Sequence, residues 1–163
     1  MSKRFSGIIA IAENRAIGIE HKLPWPKEYS DLKWFKKKTS GGNLIFGRKT
    51  FIGLGTVWLP TRELFVLTQF NPFGWNNSVR KSDKACTHII TNPNDLPDAD
   101  YWVCGGKSIY ELFMPQIEEF FVTYIKGEFK GDTFMPPFEQ NFFRREVIED
   151  NQYYSIVRLW ERI

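Results

Sequence analysis

The segment Phe5 to Ala12 (FSGIIAIA) constrains this chain most, because it is a near-continuous apolar run of strand length. Such a run reads as a central strand buried on both faces, which demands a layer on either side. Further strand signals follow at Asn43 to Phe46, Glu63 to Thr68, Thr87 to Thr91, Asp100 to Cys104 and Phe120 to Ile125. Helices are predicted over Glu28 to Thr39, after the turn Gly47-Arg48-Lys49-Thr50, and over Lys107 to Met114, where Pro115 stops the last one. The tail pairs Arg145 to Glu149 with Tyr154 to Glu161 across Asn151-Gln152, as an antiparallel hairpin. Strands alternating with helices predict an α/β fold of three layers: a mainly parallel central sheet, a C-terminal antiparallel hairpin, and helices on both faces. A length of 163 residues suits one domain, spanning 1–163.

Composition narrows the class. Hydrophobic residues make up 42% of the chain and aromatics 17%, which is the content of a packed globule and excludes a disordered tail. The net charge of +3 is small, and the one dense basic run, Lys36 to Lys38, falls on a predicted helix as a solvated face, so no nucleic-acid partner is expected. Cys86 and Cys104 lie far apart with no Cys/His cluster, which predicts neither a metal site nor a disulfide. The apolar stretch after Arg4 is too short to span a bilayer and lacks a cleavage site, so no membrane partner is expected and the cytoplasm is the expected location.

In open α/β sheets ligands sit at the carboxyl ends of the strands, which directs attention to the loops after Ala12, Phe46, Leu67 and Cys104. The first, Glu13 to Pro26, is long and rich in turn formers, as functional loops are. Asn71 to Asp83 reads as a surface loop. Two glycine turns open helices at the same sheet edge: Gly47-Arg48-Lys49-Thr50 and Gly105-Gly106-Lys107-Ser108. Unpaired N–H groups there could bridge a ligand with two or more phosphates, or the glycines could simply end strands. Neither turn is a G-x-G-x-x-G fingerprint. Asp31 falls beside Phe35 on the apolar arc of the predicted helix. Pattern alone slightly favours an acid complementing the macrodipole over a carboxylate held in an apolar pocket for a polar ligand. Arg62 opens a strand, as a surface residue or as a fork for a ligand carboxylate. His21 and His88 are sparse and isolated, and no Ser-His-Asp set can be assembled from them.

These elements in this order resemble dihydrofolate reductase over essentially the whole chain. The resemblance is carried by Ile9-Ala10-Ile11-Ala12 through Ala16-Ile17-Gly18 to Leu23-Pro24-Trp25, then Asp31-Leu32 and Trp34-Phe35-Lys36. Gly47 to Phe51, Leu59-Pro60-Thr61-Arg62, Val103 to Gly106 with Ile109-Tyr110, and Gly131-Asp132-Thr133 follow in family order. The resemblance implies NADPH-dependent reduction of 7,8-dihydrofolate to 5,6,7,8-tetrahydrofolate, with hydride delivered to C6 and N5 protonated, in support of one-carbon metabolism and thymidylate synthesis. It implies dihydrofolate and antifolates as ligands and a monomeric state.

By the same resemblance Asp31 binds the pterin through N3 and the 2-amino group, Thr123 orients its carboxylate, Trp25 holds an ordered water, and Leu23 tips a mobile loop that closes over the nicotinamide. Ile8, Leu32, Phe35, Leu54, Leu59, Cys104 and Tyr110 would line the folate pocket, and Arg62 would pair with the α-carboxylate of the glutamate tail. Ala10, Ile17, Gly18, Gly47, Arg48, Lys49, Thr50, Leu67, Thr68, Gln69, Gly105, Gly106, Lys107, Ser108 and Ile109 match cofactor-binding positions, with Arg48 facing the 2′-phosphate. A cis peptide between Gly105 and Gly106 is frequent in the family. Three positions depart from it: Cys104 stands for an aliphatic residue, Thr61 for a common glycine, and Gln69 for Ser or Arg. Two rivals remain: a reductase of the same fold acting on a ribosylated pyrimidine in flavin biosynthesis, and a folate-binding protein without turnover.

Overall fold

A computed structural model describes residues 2–54, 61–69, 80–81 and 85–163. The central strand forms as the apolar run requires: β1 (Arg4–Ala12) lies between β7 (Asp100–Val103) and β8 (Ile117–Ile125), parallel to both. Outward from β7 follow β3 (Asn43–Gly47), β4 (Arg62–Leu67) and β6 (Ala85–Ile90), all parallel, and then β5 (Arg80–Lys81), antiparallel to β6. On the other side of β8, β11 (Tyr154–Arg162) and β10 (Phe142–Asp150) close the sheet as the antiparallel hairpin. The nine strands run in the order β10-β11-β8-β1-β7-β3-β4-β6-β5.

Alternation along single strands sorts the core onto two faces. Ile45, Phe65 and Leu67 point to one side, where α3 (Lys107–Phe113) packs Ile109, Tyr110 and Phe113. Leu44, Phe46 and Leu64 point to the other, against Phe35 of α1 (Leu32–Lys38) and Phe51 of α2 (Arg48–Leu54). Helices therefore cover both faces, as predicted. Each is only seven residues long, too short to persist without the sheet beneath it.

The structure moves several boundaries. The predicted helix from Glu28 to Thr39 is split into a 3-10 turn at Lys27–Tyr29 and α1, because Ser30 is extended and interrupts the helical bonds. The final helix ends at Phe113, and Met114–Gln116 tightens into a 3-10 turn around Pro115. Of the predicted surface loop, Arg80–Lys81 forms the short edge strand β5, and the remainder lies outside the described residues apart from this pair.

The long loop after β1 is tied down rather than free. Within it β2 (Ala16–Gly18) pairs antiparallel with β9 (Thr133–Phe134). Beside that ribbon Arg15 grips Glu139 with both guanidinium arms, at 2.6 and 3.1 Å, and donates to the carbonyls of Met135 and Pro136. Burial would push the Glu139 carboxyl up, but the Arg15 fork, the Phe138 N–H and the Tyr124 hydroxyl outweigh it and hold the group at about 2. A carboxylate held below its ordinary 4.5 contributes stability above that value and loses it as pH falls towards 2. We expect Glu139→Gln to cost about 1–2 kcal/mol at pH 7, allowing for partial solvent screening, and the loss to disappear in urea titrations repeated as pH falls from 4.5 towards 2. A loss that is independent of pH would refute the ionic origin.

Candidate active site

A cavity of about 850 Å³ opens where the carboxyl ends of β1, β3, β4 and β7 meet α1, α2 and α3. Its floor is laid by the strands. Ile8 and Ala10 come from β1, Phe46 and Gly47 from β3, Leu67 from β4, and Cys104 from the residue just past β7.

Asp31 stands in its wall, 7% exposed. It occupies the N-cap position of α1, where an aspartate side chain ordinarily accepts from the first free N–H groups. Here it makes no such bond; Ser30 Oγ accepts from Leu32 N–H instead, at 3.2 Å. The carboxylate is thereby released from capping. It accepts the hydroxyl hydrogen of Thr123, a fully buried residue on β8, at 2.5 Å. Burial pushes the Asp31 carboxyl up, partly opposed by the Thr123 hydrogen bond. The arrangement is a desolvated acid with one oxygen fixed to the scaffold, and it can offer a paired contact to a polar ring.

Around Asp31 the wall is apolar: Ile8, Leu32, Phe35 and Tyr110 all line the cavity. The Tyr110 hydroxyl donates to the Ile8 carbonyl at 2.7 Å, which locks the ring in place. Cys104 is half-buried in the same wall, packs against Leu44, Phe46 and Leu64, and donates its thiol to the Trp102 carbonyl at 3.4 Å; burial pushes that thiol well up, which disfavours the thiolate. Leu23 is 51% exposed at the cavity mouth, with Ile17 and Gly18 of β2 beside it.

The second half of the cavity is a glycine cradle. Gly47 N–H donates to the Gly105 carbonyl at 2.7 Å, which brings the two turns together. A Cβ on Gly47 would lie 3.0 Å from Ile109, and one on Gly106 would lie 3.0 Å from Thr50 Oγ1. Either contact is tight, and a side chain there would make Ile109 or Thr50 yield. The peptide between Gly105 and Gly106 is cis. Arg48, Lys49, Thr50, Lys107 and Ser108 line this end, so cations and hydroxyls rim exposed backbone at two helix starts. The donor set fits a polyanionic dinucleotide, with charge-assisted contacts available to its phosphates.

Other expected site residues stand elsewhere. Trp25 is buried among Ala12, Ala16 and Ile125, edge-on to Phe129, and its Nε1 has no hydrogen-bond partner among the described residues. Arg62 is 5% exposed and turned inward: Nε donates to Thr39 Oγ1 at 3.0 Å and Nη2 to the Lys36 carbonyl. Its reading as a surface residue is therefore corrected. Thr39 and Lys36, more than twenty residues away in sequence, supply the acceptors that make burial of its charge tolerable. Thr68 and Gln69 follow β4 outside the cavity lining, and Thr68 N–H donates to the Ile90 carbonyl. Leu59 and the side chain of Leu54 lie outside the described residues. Thr61, which stands where the resemblance leads one to expect a glycine, takes a φ of +65°, in the left-handed region where a threonine is strained.

Sequence reasoning missed Gly53 and His21. A Cβ on Gly53 would sit 1.9 Å from the His21 carbonyl oxygen, so the long loop lies directly on α2 across the cavity mouth. A glycine inside a short helix costs about 1 kcal/mol against alanine and was the available signal that another backbone approaches there.

Comparison with known proteins accords with this geometry. A sequence model described as dihydrofolate reductase matches residues 4–156. The dihydrofolate reductase of Staphylococcus aureus is 36% identical over 131 residues, covering 80% of this chain and 77% of the relative. That of Staphylococcus haemolyticus is 30% identical over 167 residues, covering 98% and 96%. Among solved structures, dihydrofolate reductase from Enterococcus faecalis complexed with NADP(H) and RAB-propyl superposes with a TM-score of 0.70 at 27% identity, covering 95% of this chain and 93% of the other. The chain belongs to the dihydrofolate reductase family.

Proposed function

We propose that this chain reduces 7,8-dihydrofolate to 5,6,7,8-tetrahydrofolate at the expense of NADPH, with the pterin held by Asp31 and the cofactor in the glycine cradle. The observation that carries the assignment of the ring site is the Asp31 carboxylate, buried, released from capping and fixed by Thr123. One oxygen is committed to the scaffold, and the carboxylate can still accept from N3 and the 2-amino group of a pterin. Leu32, Phe35 and Ile8 exclude water from the ring faces. NADPH supplies the hydride that reaches C6. The Asp31 charge, desolvated at the ring edge, favours the protonated and electrophilic form of the pterin, and a water held near Trp25 is assigned the proton for N5. Leu23 and the loop bearing it exclude bulk solvent when closed. Arg62, buttressed by Thr39 and Lys36, is assigned the α-carboxylate of the glutamate tail.

Thr68 and Gln69 are assigned to the adenosine end of the cofactor, and Arg48 to its 2′-phosphate. A cytoplasmic setting belongs to the same reading, and Cys104 is a free thiol. No helix among the described residues is long and apolar enough to cross a membrane.

The test is NADPH oxidation with dihydrofolate, with and without a pteridine antifolate. We expect turnover that the antifolate abolishes. Binding of folate without turnover would favour the non-catalytic rival, and turnover of a ribosylated pyrimidine in its place would favour the other. Within the same assay Arg48→Ala should weaken NADPH by about tenfold, roughly the loss of one charge-assisted contact, and NADH much less. Equal losses for the two cofactors would remove the 2′-phosphate from Arg48.

A further inference from the structure

The long loop after β1 reaches the cavity mouth as a tight turn. Ile19 and Lys22 exchange both backbone hydrogen bonds, at 2.8 Å each, and the two residues between them, Glu20 and His21, have φ of +49° and +65°. Positive φ at both central positions marks a type I′ turn, a connection that ordinarily takes Asn and Gly. Built from Glu and His, it holds its own residues in a conformation they do not prefer. Such strain persists only where the surroundings impose it.

Two elements impose it. Asp132 Oδ2 accepts the Glu20 N–H at 2.8 Å, and the Asp132 N–H donates to the Gly18 carbonyl at 2.9 Å. From α2 the contact is closer still. The His21 carbonyl oxygen lies 1.9 Å from where a Cβ on Gly53 would stand, so a Gly53 Cα–H points at it in a backbone-on-backbone Cα–H···O contact. His21, Lys22, Gly53 and Asp132 all line the cavity, which makes the turn a strap held from two elements at its mouth.

We infer that Gly53 is a positioning residue for hydride transfer: its bare Cα is the seat on which the loop closes over the cofactor, and any side chain there lifts the loop off. This rests on the proposed reduction by NADPH. The loop is the partner that gives way. Glu20, His21 and Lys22 are exposed, whereas α2 is anchored by Phe51 against Leu44, Phe46 and Leu64. Alanine is also the better helix former, so Gly53→Ala acts on the helix and on the loop with opposite signs.

Hydrogen exchange of ligand-free Gly53→Ala should speed up at the Ile19, Glu20 and Lys22 amides by at least about fivefold, the upper end of what one Cα–H···O contact is worth, with melting unchanged or raised. NADPH should leave the variant faster by a similar factor in stopped-flow displacement, and single-turnover hydride transfer should slow by about tenfold or more, as misplacement by an ångström does. Ile52→Ala, at an exposed position on the same helix, should change none of these. Unchanged exchange in Gly53→Ala would overturn the proposal, as would faster exchange with NADPH release and hydride transfer like those of the wild type. A lowered melting temperature would also overturn it, by placing the adjustment in α2. The unmodified chain gives a second reading: NADPH should slow exchange at the same amides, and flat exchange on binding would equally overturn the role. A wild-type chain that does not bind NADPH at all would refute the proposed function itself, and this role with it.

Discussion

Replacing Asp31 by Asn lowers the rate of hydride transfer at neutral pH by at least about tenfold, or roughly 1.4 kcal/mol of barrier, and at the same time stabilises the ligand-free protein. The two effects have one cause. Asn keeps an acceptor for the Thr123 hydroxyl, so the side chain stays in place, but it removes the charge that we propose favours the protonated pterin. Burial raises the Asp31 carboxyl above its ordinary 3.8, so its contribution to stability is complete below that value and is lost as pH rises through the raised one. At pH 7 the wild type bears the cost of a desolvated charge and the variant does not. The stability gain should therefore shrink as pH falls towards 3.8. Stopped-flow single turnovers and thermal melts across pH measure both. An unchanged single-turnover rate would remove Asp31 from the chemistry, and a variant less stable than wild type at pH 7 would show that its charge is already compensated.

Gly105→Ala should destabilise the fold by about 2–4 kcal/mol, the sum of two separable costs. Gly105 has a φ of +103°, where an L residue is strained, and a Cβ there would lie 2.9 Å from the Tyr110 ring. Tyr110 cannot simply retreat, because it is buried and its hydroxyl is bonded to the Ile8 carbonyl. Gly41→Ala supplies the control. Gly41 has a φ of +74° with nothing within 4 Å of the added carbon, so it should show the backbone cost alone, about 1 kcal/mol. Urea denaturation of the two variants separates strain from overpacking. Equal losses would mean that the Tyr110 contact relaxes freely. Because Tyr110 and Gly105 both line the cavity in which we propose that folate and cofactor bind, Gly105→Ala should also weaken both ligands.

The parts of the fold that were legible in the sequence share one property: their signal is local and repeated. β1, β3, β4 and β8 are apolar runs that announce burial on both faces, and the turns at Gly47 and Gly105 mark where strands end. The ribbon of β2 and β9 was not legible, because segments of three and two residues have no period to read. The predicted helix around Asp31 is too long because the charged segment from Glu28 continues the helical pattern, whereas the backbone at Ser30 does not.

For the site, the sequence by itself determined part of the inventory. An acid on an apolar arc and paired glycine turns with basic residues pointed to Asp31, Phe35, Gly47 to Thr50 and Gly105 to Ser108, which line one cavity, but not to Gly53 or His21, and the motifs in family order also named Trp25, Arg62, Thr68 and Gln69, which stand outside the lining. Only the tertiary structure decided what each of them does with its polar atoms. Asp31 turns from its own helix to Thr123, ninety-two residues away, Arg62 turns inward to Thr39, and Arg15 clips Glu139 across 124 positions. The reason is physical: local pattern reports which side chains prefer to leave water, but the partner that makes a buried charge tolerable comes from wherever the topology brings the chain.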